Sequence, residues 1–119
     1  MPDTRVHLDQ ARHNEAFFSE MSLDLYGDWA VTVLFYSALH YIDAYLAKMG
    51  HIDPGSHDVR DGLVSRFPET RAVARQYFRL KNFSSSARYY GAHFTRSEAN
   101  SLRLGEFDAV KARMMAQLP

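Results

Sequence analysis

Trp29-Ala-Val-Thr-Val-Leu-Phe-Tyr-Ser-Ala-Leu-His40-Tyr-Ile-Asp-Ala-Tyr-Leu46 places apolar residues almost without interruption over a length that ordinary strands do not reach. On a helical wheel Leu34, Phe35, Ala38, Leu39, Ile42, Tyr45 and Leu46 fill more than half of the circumference. A helix this apolar must be buried on more than one side. It carries His40 and Asp43, with Asp28 and Lys48 at its flanks, groups that a membrane span tolerates poorly. Mean hydropathy over the chain is −0.36. The stretch therefore predicts the central helix of a bundle with no membrane contact. A small bundle covers one side of such a helix, and a second copy of the chain is expected on the other.

Helical spacing continues outward in both directions, and no segment alternates as a strand would. A first helix is predicted from about Arg5 to Met21, with Leu8, Ala11 and Phe18 inward, and Leu23 to Gly27 as a short connection. The central helix then runs from about Asp28 to Met49, with Gly50 as its stop. His51 to Gly55 predicts a loop with a Pro-Gly turn. Ser56 is an N-cap candidate for a short helix reaching Arg66, with Asp58 in its first turn. Pro68 suits the first turn of a fourth helix, which carries Val73, Tyr77 and Leu80 inward and ends near Ser84-Ser85-Ser86. Residues 87–94 predict an aromatic loop broken by Gly91. Thr95-Arg-Ser-Glu98 is a capping box opening a last helix that reaches Leu118. The fold class is all-α: an antiparallel bundle of four long helices plus one short helix, in a single domain over residues 1–119.

Length and composition agree. The 119 residues, 46% hydrophobic and 24% charged, suit one globular domain. Cysteine is absent, which excludes disulfides, a zinc finger, an iron–sulfur site and a thiol nucleophile. Together with a start that lacks the apolar core of a signal peptide, this predicts a cytoplasmic location. No His-x3-His or Glu-x-x-His occurs at helical ligand spacing, so no metal site is expected. Scattered glycines exclude a P-loop or a dinucleotide fingerprint, and no cofactor is expected.

Net charge is zero, but it is unevenly placed. Residues 1–59 carry three basic and nine acidic groups, net −6, and residues 60–96 carry eight basic and two acidic, net +6. Arg71, Arg75 and Arg79 recur every four residues, which would stack three guanidinium groups along one helix face. That basic face is a candidate footprint for phosphate or nucleic acid. The alternative is a solvated face answering the acidic half, within the chain or across a dimer.

Three groups can carry chemistry. Thr32, Tyr36, His40 and Asp43 form one stripe of the central helix, so Asp43 is placed to orient His40 and raise its basicity. The plain alternative is a polar stripe satisfied between packed helices. Ser56 and His57 sit at a helix start, where free N–H groups attract anions; the alternative is an ordinary cap beside an exposed histidine. Arg88 and His93 form an Arg-x4-His spacing with Tyr89 and Tyr90 between. Arginine can hold a scissile phosphate and histidine can act on a ribose hydroxyl, although the spacing also arises by chance at this composition. Tyr89, Tyr90 and Phe94 can stack on bases or cap the core.

The same residues carry a family resemblance. Phe35-Tyr-Ser-Ala-Leu-His40, with Ala44 four residues on, resembles the long second helix of HEPN-domain proteins. Ser56-His57 is similar to the start of their next helix, and Leu80-Lys-Asn-Phe-Ser84-Ser-Ser-Ala-Arg88-Tyr89 to the stretch closing the one after. The resemblance covers about Tyr26 to Leu118 and is nearest to small stand-alone bacterial members. It implies an all-α homodimer linked to RNA or nucleotide chemistry, often within toxin–antitoxin or defence systems. Some members pair with a nucleotidyltransferase or an antitoxin; others are metal-independent ribonucleases. In the ribonucleases the Arg-x(4–6)-His motif lies within a helix, with a small polar residue after the arginine. Here Tyr89 follows Arg88 and Gly91 predicts a loop, so the resemblance favours a non-enzymatic module binding a nucleotide, an RNA or a partner protein. His40, Asp43, Ser56, His57, Arg88 and Tyr89 are then expected to converge on an anion-binding cleft. The alternatives are a metal-independent endoribonuclease using Arg88 and His93, and a pure dimerisation module.

Overall fold

The computed structural model describes residues 3–51 and 55–118, and every regular element among them is helical. In chain order they are α1 (Thr4–Glu20), α2 (Leu23–Lys48), α3 (His57–Arg66), α4 (Pro68–Arg71), α5 (Ala74–Tyr89), α6 (Arg96–Leu102), a π-helical turn (Arg103–Phe107) and α7 (Asp108–Met115). The Pro54 half of the expected Pro-Gly turn lies outside the described residues.

The central helix is α2, and α1 lies antiparallel along it. Polar contacts mark the seam at regular intervals. Thr4 donates to the Ala44 carbonyl at 3.0 Å, His7 meets His40 at 3.1 Å, and Ser37 donates to the Ala11 carbonyl at 2.8 Å. Each step toward the C-terminus of α1 is a step toward the N-terminus of α2. Helices α5, α6 and α7 pack on the remaining sides of α2. Val31, Leu34, Phe35, Ala38, Ile42 and Leu46 are fully buried, so the chain itself encloses the middle of α2 all round. Each such large apolar side chain contributes about 1.5–3 kcal/mol. By length and composition α2 alone among the described residues is long and apolar enough to cross a membrane, and 78% of its most apolar window is buried inside the fold. What stays exposed lies at its N-terminal end: Leu25, Tyr26 and Trp29, beside Phe17 of α1.

Several boundaries differ from the sequence expectation. Residues 23–27 are not a connection but the first turn of α2. Ser22 caps it by accepting from the Leu25 N–H, and the chain kinks at Tyr26. Gly27 sits inside this turn because the Phe94 carbonyl packs against it: a Cβ there would lie 1.9 Å from that oxygen. The fourth helix is two pieces. It leaves helical geometry at Val73, after Thr70 has turned its hydroxyl onto the Val64 and Phe67 carbonyls. Arg71 therefore sits on α4 while Arg75 and Arg79 sit on α5, and the expected stack of three guanidinium groups along one helix is not formed.

Helix α5 runs past the three serines and takes Ala87, Arg88 and Tyr89 with it. Its buried residues Tyr77, Leu80 and Ser84 keep helical spacing to that point. It stops where Gly91 turns left-handed (φ 67), with the Tyr90 and Ala92 N–H groups both donating to the Ser86 carbonyl. Only the segment after Tyr90 is the expected loop. The Ser56 cap, the Thr95–Glu98 capping box and Pro68 in a first turn are as the sequence predicts. The last helix contains the π turn, whose wider spacing suits the five-residue step from Leu102 to Phe107, both buried.

The charge asymmetry is answered in part within the chain. Arg60 pairs with Asp43 and Arg96 with Asp24, joining the basic segment to the acidic half, while Arg79 pairs with Glu106 and Lys81 with Asp61.

Candidate functional site along the polar stripe of the central helix

The stripe Tyr36, His40, Asp43 on α2 is flanked by α1 on one side and by α3 and α5 on the other. From α1 comes His7, buried, with its Nδ1 3.1 Å from Nδ1 of His40 and the two rings stacked at 5.3 Å. From α3 comes Arg60. Its Nε donates to Asp43 Oδ1 at 2.7 Å and its Nη2 to Oδ2 at 3.0 Å, a two-pronged ion pair with Asp43 buried. The Arg60 Nη1 also lies 3.4 Å from Nδ1 of His57. From α5 comes Arg88, which donates to the Tyr36 hydroxyl at 2.8 Å and lies over the Tyr36 and Tyr89 rings at 5.3 and 4.9 Å.

Asp43 is thus committed to Arg60, where His40 was expected. Nor is His40 made more basic. Burial, then the neighbouring His7, hold its pKa below the ordinary value, and Asp43 offsets this only in part. A buried imidazole beside another gains nothing from a second charge. The pKa of His57 is likewise lowered, by burial first and then by the positive charges of Arg60 and Lys81, with Arg88 adding to them. His57 therefore marks a locally cationic region.

The remaining expected residues fall as follows. Ser56 spends its hydroxyl on the cap of α3, accepting from the Val59 N–H at 3.2 Å. Thr32 donates back to the Asp28 carbonyl. Tyr89 is exposed, at 70% of its free surface. Arg71 and Arg75 are exposed; Arg79 is tied to Glu106 and lies over Phe83. His93 is exposed in the coil between α5 and α6, and no hydrogen bond or ion pair joins it to Arg88. His40, His57 and Arg88 border one region without touching one another directly. His40 and His57 are connected through Asp43 and Arg60, and Arg88 through Tyr36.

Two members of this constellation, His7 and Arg60, were not singled out in the sequence. Arg60 was one basic residue among the eight of its segment. His7 is 33 positions from its partner, so spacing along one helix does not find it.

The chemistry available is of two kinds. Arg88 is a cation whose hydrogen-bond partners are all neutral: the Ser84 carbonyl, the Tyr36 hydroxyl and the Tyr89 hydroxyl. Arg60, Arg79, Lys81, Arg96, Lys111 and Arg113 each face a carboxylate instead. The second kind is the pair of facing imidazoles. Comparison of the chain with protein-family models, curated proteins and solved structures finds no match to any of them.

Proposed function

We propose that this chain is a non-enzymatic, HEPN-like helical module that binds a phosphate-bearing ligand, a nucleotide or an RNA, at Arg88. The observation that carries this is the neutral company of the Arg88 guanidinium. A cation held in place by carbonyl and hydroxyl oxygens, with no carboxylate to satisfy, keeps its charge for an incoming anion. The tyrosine rings on which it rests offer a stacking surface for a base, Tyr89 being the exposed one. The charges of Arg60, Lys81 and Arg88, felt together at His57, favour negative charge in the same region.

The family resemblance supports a homodimer, and the apolar hollow lined by Phe17, Met21, Tyr26, Trp29 and Val33 is the surface to which we assign the second copy. A partner protein of the antitoxin or nucleotidyltransferase kind would meet the assembled dimer in the cytoplasm.

The test is fluorescence anisotropy with a labelled short RNA and with labelled nucleotides, at low and at physiological salt, for wild type and Arg88→Ala. The expected result is binding that weakens as salt rises and falls about tenfold or more in Arg88→Ala, for the loss of a charge-assisted contact of about 1.5–3 kcal/mol. Equal binding by both proteins, or none at low salt, overturns the proposal and leaves the interaction module. The same RNA incubated in excess chelator is expected to stay intact; cleavage lost in His93→Ala would establish the endoribonuclease instead.

A further inference from the structure

We propose that His7, His40 and Asp43 form a binding site for a first-row divalent metal ion such as zinc. One ligand-type atom from each residue lies within 4.8 Å of the others. The two Nδ1 atoms, 3.1 Å apart, have the separation that two imidazoles show around one ion, since bonds of about 2.0–2.2 Å place neighbouring ligands about 3.0–3.4 Å from each other.

Two nitrogens and one carboxylate oxygen make a donor set suited to zinc, cobalt or nickel rather than to magnesium or calcium. The ligands come from two rigid helices. Their seam is fixed on either side by the Thr4–Ala44 and Ser37–Ala11 hydrogen bonds, so the imidazoles meet without a loop to order. Asp43 is steadied by Arg60 as ligating carboxylates usually are by an outer partner. Each of its oxygens accepts one bond from Arg60 and keeps a lone pair, and a small swing of the side chain brings one of them onto the ion.

His40 is only half-buried, which gives the ion a way in from solvent, while His7 closes the inner side. In the metal-free pair one Nδ1 donates to the other. Coordination by both Nδ1 lone pairs moves the donor ring's proton to its Nε2, with no net proton released. Three protein ligands leave a further position for water or an anion, as in open sites. This site is independent of phosphate binding at Arg88, and its test involves no nucleotide.

The experiment is zinc chloride titration of chelator-treated protein by calorimetry, alongside histidine side-chain nitrogen NMR. Cobalt(II) serves as an absorbing substitute. Wild type is expected to take one zinc per chain with both His7 and His40 Nδ1 resonances shifting together. Binding is expected to weaken about tenfold or more in His40→Gln and in His7→Gln, and to be unchanged in His13→Gln, an exposed position on α1. Absence of heat on zinc addition, zinc binding that leaves the His7 and His40 resonances in place, or undiminished affinity in His40→Gln would each overturn the site. Should a variant fail to fold by circular dichroism, the wild-type NMR titration decides alone.

Discussion

Arg60 and Asp43 meet through two parallel hydrogen bonds of 2.7 and 3.0 Å, with the Asp43 side chain 3% and the Arg60 side chain 12% exposed. The pair links α3 to the middle of α2, the helix that organises everything else. Removing one partner of a buried pair strands the other charge, at a cost of about 3–5 kcal/mol. Small domains have only about 5–15 kcal/mol in hand. Asp43→Ala is therefore expected to lose a large part of the folding stability, read as the midpoint of a urea titration. The double variant Asp43→Leu with Arg60→Met should recover most of it. A midpoint unmoved in Asp43→Ala would mean that the ion pair holds nothing together.

Acidification should also weaken the fold. Burial lowers the pKa of His57, with Arg60, Lys81 and Arg88 adding to it, and burial and His7 lower that of His40. Between the lowered folded values and the ordinary 6.5, the unfolded chain binds more protons than the folded one, so stability rises with pH. The contribution is complete above pH 6.5 and is lost progressively as pH falls below it. The midpoint measured in chelator should drop from pH 7.5 to pH 5.5, and less steeply in His57→Gln. A flat profile would show that neither imidazole resists protonation in the folded state.

Gly27→Ala probes the close approach of α2 to the coil before α6. The added methyl would sit 1.9 Å from the Phe94 oxygen and 2.9 Å from its carbonyl carbon, both backbone atoms. One of the two segments has to move, at a cost of about 1–3 kcal/mol. Ordinarily Gly→Ala inside a helix gains about 0.5–1 kcal/mol, so the two outcomes have opposite sign in a thermal melt.

The all-helical character was legible in the sequence because apolar spacing, caps and Pro68 agreed about it. The breaks were less so. Gly27 read as a connector, since nothing in the chain announces that a carbonyl from Phe94 will fill the space of its missing side chain. Arg71, Arg75 and Arg79 read as one face, since the break at Val73 depends on Thr70 finding the Val64 carbonyl, a tertiary choice. At the candidate site His40, Asp43, His57 and Arg88 were visible one by one, each within a local pattern. Their partners were not, because His7 and Arg60 reach them across helix seams. Pairing Asp43 with His40 was the local solution, three residues apart on one face. A guanidinium offering two bonds displaced it.

The π turn at Arg103–Phe107 makes the last helix behave as two rotors coupled by a slipped gear tooth. Lys111 and Arg113 find Glu15 and Glu69 only because the segment after Phe107 has been turned relative to Leu102. Excising Gly105, which has open space around it, would restore regular winding and retard the phase of all that follows by about 100° per residue lost. Phe107, Val110 and Met114 would then swing off the core as a block. The chain thus tolerates one residue more than a uniform helix would allow, and one fewer would undo its end.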